Sequence, residues 1–332
     1  MTSPSRAWRF AARPAFAAAI IFALPSFAYS STPAATREAA QRALMQGRAD
    51  EAIATLHMLT AQNPADAPSH LLLCRAFYSE ELADPAVTEC EAALQGLASS
   101  SDAQDWMGRA YGLKANTAGY IAGYKLARKV QAAFEAAVNL DSRNSAATDD
   151  LSEYYIAAPS LIGGGLDKAE ALADRIQGQS PQSAHRIHGL VAEDRKDYGT
   201  AEREFRSAVG VAGRPDAWVD LGHYYARRKQ LDRSLDALHH ALAADRPIDA
   251  SAVDAASILI EIHREPDTAA LSLRNYLEYG VKSDAAPAFK ALVDLGQLQA
   301  SQGDKANAKI EFEKALQLAH DYAPAKKALQ SL

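Results

Sequence analysis

A pattern of large and small residues returns along most of this chain at a spacing close to 34 residues, and no other feature narrows the fold as much. Its clearest copy is Trp218-x2-Leu221-Gly222-x2-Tyr225, followed by Ser234, Leu238 and Ala241. Elsewhere Ala52, Leu56 and Leu59 recur 34 residues later as Ala86, Cys90 and Ala93. Apolar residues three and four apart form one stripe of a helix, so each copy reads as a pair of amphipathic helices. Gly, Ala, Ser or Cys at the facing positions lets two helix backbones approach closely. Composition agrees with an all-α fold: Ala is the commonest residue, 48% of the chain is hydrophobic, and there are two Cys. Those values exclude a disulfide-dense fold and a disordered chain.

The spacing of Trp218, Leu221, Gly222, Tyr225, Ser234, Leu238 and Ala241 resembles the tetratricopeptide repeat (TPR). In phase with it, units fall at 33–66, 67–100, 101–144, 145–181, 182–214, 215–249, 250–281 and 289–322, with a capping helix at 323–332. The third opens on Met107-Gly108-x2-Tyr111, and its helices are separated by about ten extra residues; the fourth carries about five. The seventh is degenerate, with Tyr276 where a small residue is expected. The resemblance implies an all-α, right-handed superhelical solenoid of about eight units, with ligands on the concave face formed by first helices.

Residues 1–28 differ from the rest. Arg6, Arg9 and Arg13 precede an apolar run from Ala15 to Leu24, and Ser26-Phe27-Ala28 ends it with small residues, the pattern of a secretory signal. The run is about ten residues where a membrane span needs roughly 20, so export and cleavage after Ala28 are expected, without stable membrane insertion. A periplasmic or secreted location follows. Cleavage removes three Arg and no acid, so the net charge of −6 becomes more negative, which disfavours nucleic-acid partners.

Candidate chemistry is sparse. Gly163-Gly164-Gly165 is followed by Leu166-Asp167-Lys168-Ala169, which lacks the Lys-Ser/Thr of a phosphate-binding loop, so a sharp turn is expected there. His185 and His188 share a helix face without a third metal ligand, and no Ser, His and Asp set is tied together by spacing. No cofactor, metal or catalytic residue is expected.

For the concave face, the resemblance implies a groove that includes Arg37, Arg75, Asp102, Asp105, Arg109, Asp149, Glu153, Arg186, His223 and Asp254. The third unit adds an insertion where Tyr120, Tyr124 and Arg128 lie near Trp106 in sequence, residue types that anchor protein interfaces. The partner-binding set is therefore Arg37, Arg75, Trp106, Arg109, Tyr120, Tyr124 and Arg128. Cys74 and Cys90 face across one helical hairpin, and either a disulfide or two packed thiols suits that spacing. The function expected is an exported, non-catalytic scaffold for another protein or an extended peptide. The alternative is a small-ligand-binding accessory component of a solute transporter, with the Tyr-rich and Gly-rich insertions folded over a cavity.

Overall fold

The computed structural model describes residues 32–243, 250–279 and 281–332, and the leader expected at 1–28 lies outside the described residues. The described residues form seventeen α-helices, one short 3-10 turn and no strand. They run in consecutive pairs: α1 (Pro33–Met45) with α2 (Ala49–Gln62), α3 (Ala67–Ser79) with α4 (Ala83–Leu97), and α5 (Ser101–Ala115) with α6 (Tyr120–Leu140). Next come α7 (Ser145–Ala157) with α8 (Leu166–Ile176), α9 (Pro181–Asp194) with α10 (Tyr198–Ala212), and α11 (Pro215–Arg227) with α12 (Leu231–Leu242). The last pairs are α13 (Ala250–Glu261) with α14 (Pro266–Tyr279) and α15 (Ala288–Ser301) with α16 (Lys305–Leu318), capped by α17 (Ala323–Gln330).

Local chemistry sets the helix ends. The side chains of Thr32, Ser100, Asn144, Asp197 and Asp304 each accept a backbone N–H from the first turn that follows, the usual role of an N-cap. The turn inside a pair carries a left-handed residue in six of the eight pairs, namely Gly47, Glu81, Lys196, Lys229, His263 and Gly303, and the seventh pair adds a second, Glu265. The third and fourth pairs have none at the matching place, because their insertions replace the tight turn.

Small residues hold the pairs together. A Cβ on Gly222 would lie 2.9 Å from Leu238, one on Gly296 2.5 Å from Phe312, and one on Gly108 would enter the Phe134 ring. In the second pair that small residue is Cys74. Cys74 and Cys90, both fully buried, are joined as a disulfide with Cα atoms 5.1 Å apart. Consecutive first helices touch one another, α1 on α3 and so on to α13 on α15, while the second helices do not pack in this way. The layer with the shorter path lies inside, so the first helices form the concave face.

The repeat alone does not predict how the solenoid ends. Its first and last pairs meet. The N–H of Lys282 donates to the Met45 carbonyl at 2.8 Å, and Gly47 leaves no room for a Cβ against Ala288. Ala49 joins the apolar cluster of Phe289, Leu292 and Phe312. The His320 N–H donates to Asp50 Oδ2 at 2.9 Å.

Candidate partner interface

Four of the seven residues expected to bind a partner lie on first helices of the concave side, and there they are engaged within the chain. Arg37 donates to both oxygens of Asp66, at 2.7 and 2.9 Å. Arg75 donates to Asp284, in the segment before α15, at 2.6 Å. Trp106 is only 5% exposed, with the Arg75 and Arg109 guanidinium carbons 5.4 and 4.6 Å from its ring centroid. Arg109 also pairs with Asp150 at 2.5 Å and Asp105 at 3.1 Å. Arg37 and Arg109 are held by carboxylates of their own or a neighbouring pair and Arg75 by one near the far end of the chain, leaving these charges little free for a partner.

The same arrangement continues around the inner face. Arg186 reaches Glu153 at 2.6 Å, Asp220 at 3.1 Å and Asp149 at 3.7 Å, which ties α9 to α7 and α11. Burial pushes Asp149 up to about 7 and Asp105 upward as well, against the opposing pull of Arg186 and Arg109. These acids therefore serve arginine pairs. His185 and His188 turn to different carboxylates, Glu204 at 2.8 Å and Asp174 at 3.4 Å, and no group of three metal-ligating side chains forms among the described residues.

The remaining three, Tyr120, Tyr124 and Arg128, share one face of α6. Val130, Phe134 and Ala137 hold the later turns of this helix in the core, and the first two turns stand clear of it. Tyr120 is 100% exposed, Ile121 78% and Tyr124 46%. Positions 120, 124 and 128 follow one another at helical spacing, with Ile121 and Lys125 alongside. Leu161 is also exposed, at 76%, in the 3-10 turn Ser160–Ile162, which packs against α6. The Tyr154 hydroxyl fixes that turn, lying 2.8 Å from the Ala127 carbonyl and 2.5 Å from that of Ile162. The Gly run makes the fold-back: Gly163 has φ +101, Gly165 has φ +149, and the Gly165 N–H donates to Tyr155 at 2.7 Å.

The charge of this tip is one-sided. From Trp106 to Phe134 the sequence holds five cations and no acid. Among the described residues no carboxylate lies within ion-pair distance of Lys125 or Arg128, whereas Lys129 rests over the Tyr111 ring at 4.6 Å. Ile121 and Leu161 were not singled out by the sequence. Ile121 sits between the two tyrosines on a helix with spare length, a signal that was present. Leu161 reads from sequence as an apolar residue before a Gly turn, and only the fold brings it to α6.

Residues 289–322, the α15–α16 pair, match the family model described as tetratricopeptide repeat. No curated protein matches the chain. Among solved structures, yeast Tom70 is 16% identical with a TM-score of 0.51, over 93% of this chain and 66% of that one. A thermophilic TPR protein of Thermus thermophilus is 16% identical with a TM-score of 0.46, over 69% of this chain and 100% of its own. A tetratricopeptide repeat protein of Parabacteroides merdae is 14% identical with a TM-score of 0.43, covering 90% of this chain and 97% of its own. At these identities the likeness to Tom70 concerns the fold alone.

Proposed function

We propose that this tetratricopeptide-repeat protein is an exported, non-catalytic scaffold that binds another protein through the free end of α6. The observation that carries this reading is a contrast within one molecule. Concave arginines are paired internally, while Tyr120, Ile121 and Tyr124 stand exposed on one helix with Lys125 and Arg128, which have no acid within ion-pair distance among the described residues. Large aromatic and aliphatic side chains held on a fixed helix lose little freedom on binding, which makes them effective anchors.

Two features weigh against the small-ligand alternative. It needs Tyr120 and Tyr124 to close over a cavity, and a fully exposed Tyr120 encloses nothing. A 340 Å³ cavity beside α5 and α7 is lined by Tyr78, Arg109, Asp150 and Tyr154 among others, with neither tyrosine of the tip.

The test is capture from the exported fraction by the mature chain and by a triple variant, Tyr120→Ala, Tyr124→Ala and Arg128→Ala. Anchor truncations cost more than about 1 kcal/mol each, so proteins retained by the parent chain should be lost from the variant. Helix content should stay unchanged. Equal capture by both would place the interface elsewhere, and unfolding of the variant would make the tip a structural plug.

A further inference from the structure

The junction where the two ends of the solenoid meet contains a side chain that the fold does not require. Glu80 caps the C-terminal end of α3 and is only 1% exposed, yet among the described residues its Oε1 finds no hydrogen-bond donor. A buried carboxylate without a partner is costly when ionised and far less so when it carries a proton. Its surroundings come from three elements. Its charge is influenced by Asp50 on α2, by His320 and Asp321 in the turn between α16 and α17, and by Lys326 on α17. Asp321 accepts from Lys326 at 2.9 Å, and Asp50 accepts from His320 Nδ1 at 2.7 Å, so both cations are already committed. Arg48 and Glu51, beside Asp50, pair with each other. Glu81 lines a 730 Å³ cavity with Lys305 and Lys327 on the other side of the turn.

We propose that this junction is a reversible latch, closed while Glu80 holds a proton and His320 is charged, and released as both lose their protons. Release would separate α1 and α2 from α15 to α17. It would break the Lys282-to-Met45 backbone bond and free Arg75 from Asp284 at the edge of the concave face. The inference stands apart from the proposed role of α6 and fails or holds independently of it.

The direction of the pH effect follows from the two groups. Burial raises Glu80 from its ordinary 4.5 to about 7, with Asp50 adding to the rise and His320 opposing it. The closed form therefore binds more protons than the open form across that interval. Closure weakens by about tenfold per pH unit, roughly 300-fold in all, and levels off above 7. Hydrogen bonding to Asp50 raises His320, so its contribution to closure is present below about 6.5 and is lost as pH climbs through the raised value. Both groups act with the same sign.

Hydrogen exchange at the Lys282 amide, corrected for the intrinsic rate at each pH, reads the latch directly. Protection in the parent chain should fall between pH 5 and pH 8, together with a rise in the radius of gyration seen by small-angle scattering. Glu80→Gln, equal in shape and unable to ionise, should retain protection at pH 8 beyond that of the parent. Gly47→Leu, with no room against Ala288, supplies the open reference. In the infrared difference between the parent and Glu80→Gln, which cancels the bands of Asp149 and Asp105, the carbonyl band of a protonated carboxyl should be present at pH 6 and absent at pH 8. Protection independent of pH, an identical fall in Glu80→Gln, or absence of the acid band at pH 6 would each overturn the proposal.

Discussion

The guanidinium of Arg75 donates through Nη2 to Asp284 Oδ2 at 2.6 Å and through Nε at 3.1 Å, joining residues 209 positions apart. A residue whose place in the repeat marks it for ligand contact is thus held by the far end of the same chain. The side chains are 24% and 19% exposed, so solvent screens the pair only in part. A double-mutant cycle with Arg75→Ala and Asp284→Ala, followed by urea denaturation, should return a coupling energy of about 1–2 kcal/mol. Additive losses would show that the contact contributes nothing to closing the solenoid.

Glycines in this chain divide by what surrounds them, and two alanine substitutions should act with opposite sign. Gly108→Ala drives a methyl into the Phe134 ring and should destabilise by about 1–3 kcal/mol. Gly210, exposed near the end of α10, has open space around its Cα, and Gly210→Ala should stabilise by about 0.5–1 kcal/mol through helix propensity. Thermal melts of the two variants read the difference. A neutral Gly108→Ala would mean that α5 and α6 are packed less closely than described.

These contrasts show where sequence carried the structure. Gly108, Gly222 and Gly296 meet Phe134, Leu238 and Phe312 because the repeat encodes local pairing, with each small position set against a large one in the second helix of its own pair, whether or not an insertion separates the two. The tip of α6 was legible for a related reason: Tyr120, Tyr124 and Arg128 fall outside the packing positions, so a helix long enough to reach them leaves them in solvent. What could not be read was the junction. Curvature accumulates from small rotations at each unit contact, and whether Asp50 reaches His320 depends on their sum across 270 residues. For the same reason Arg75 could be placed on the concave face, but Asp284 could not be seen as its partner.

The bridge between Cys74 and Cys90 and the leader expected at 1–28 lead to one joint prediction about the protein isolated from cells. The mature chain should begin at Tyr29 and contain no free thiol, both visible in one mass spectrum of non-reduced material. Export as proposed would take the chain to oxidising surroundings that allow the bond. The two cysteines are 16 positions apart, and reduction should cost about 3 kcal/mol by freeing that loop in the unfolded chain. A chain starting at Met1 would contradict export. Two thiols that react only after unfolding would contradict the bridge.

On the proposed function, a partner docks on α6 and not along the inner face. Hydrogen exchange on the complex with a captured protein, compared with the free chain, tests this directly. Protection is predicted to appear over residues 119–130 and 159–163, with α7, α9 and α11 exchanging as in the free chain. Protection confined to α5, α7 and α9, with the α6 tip exchanging freely, would contradict it.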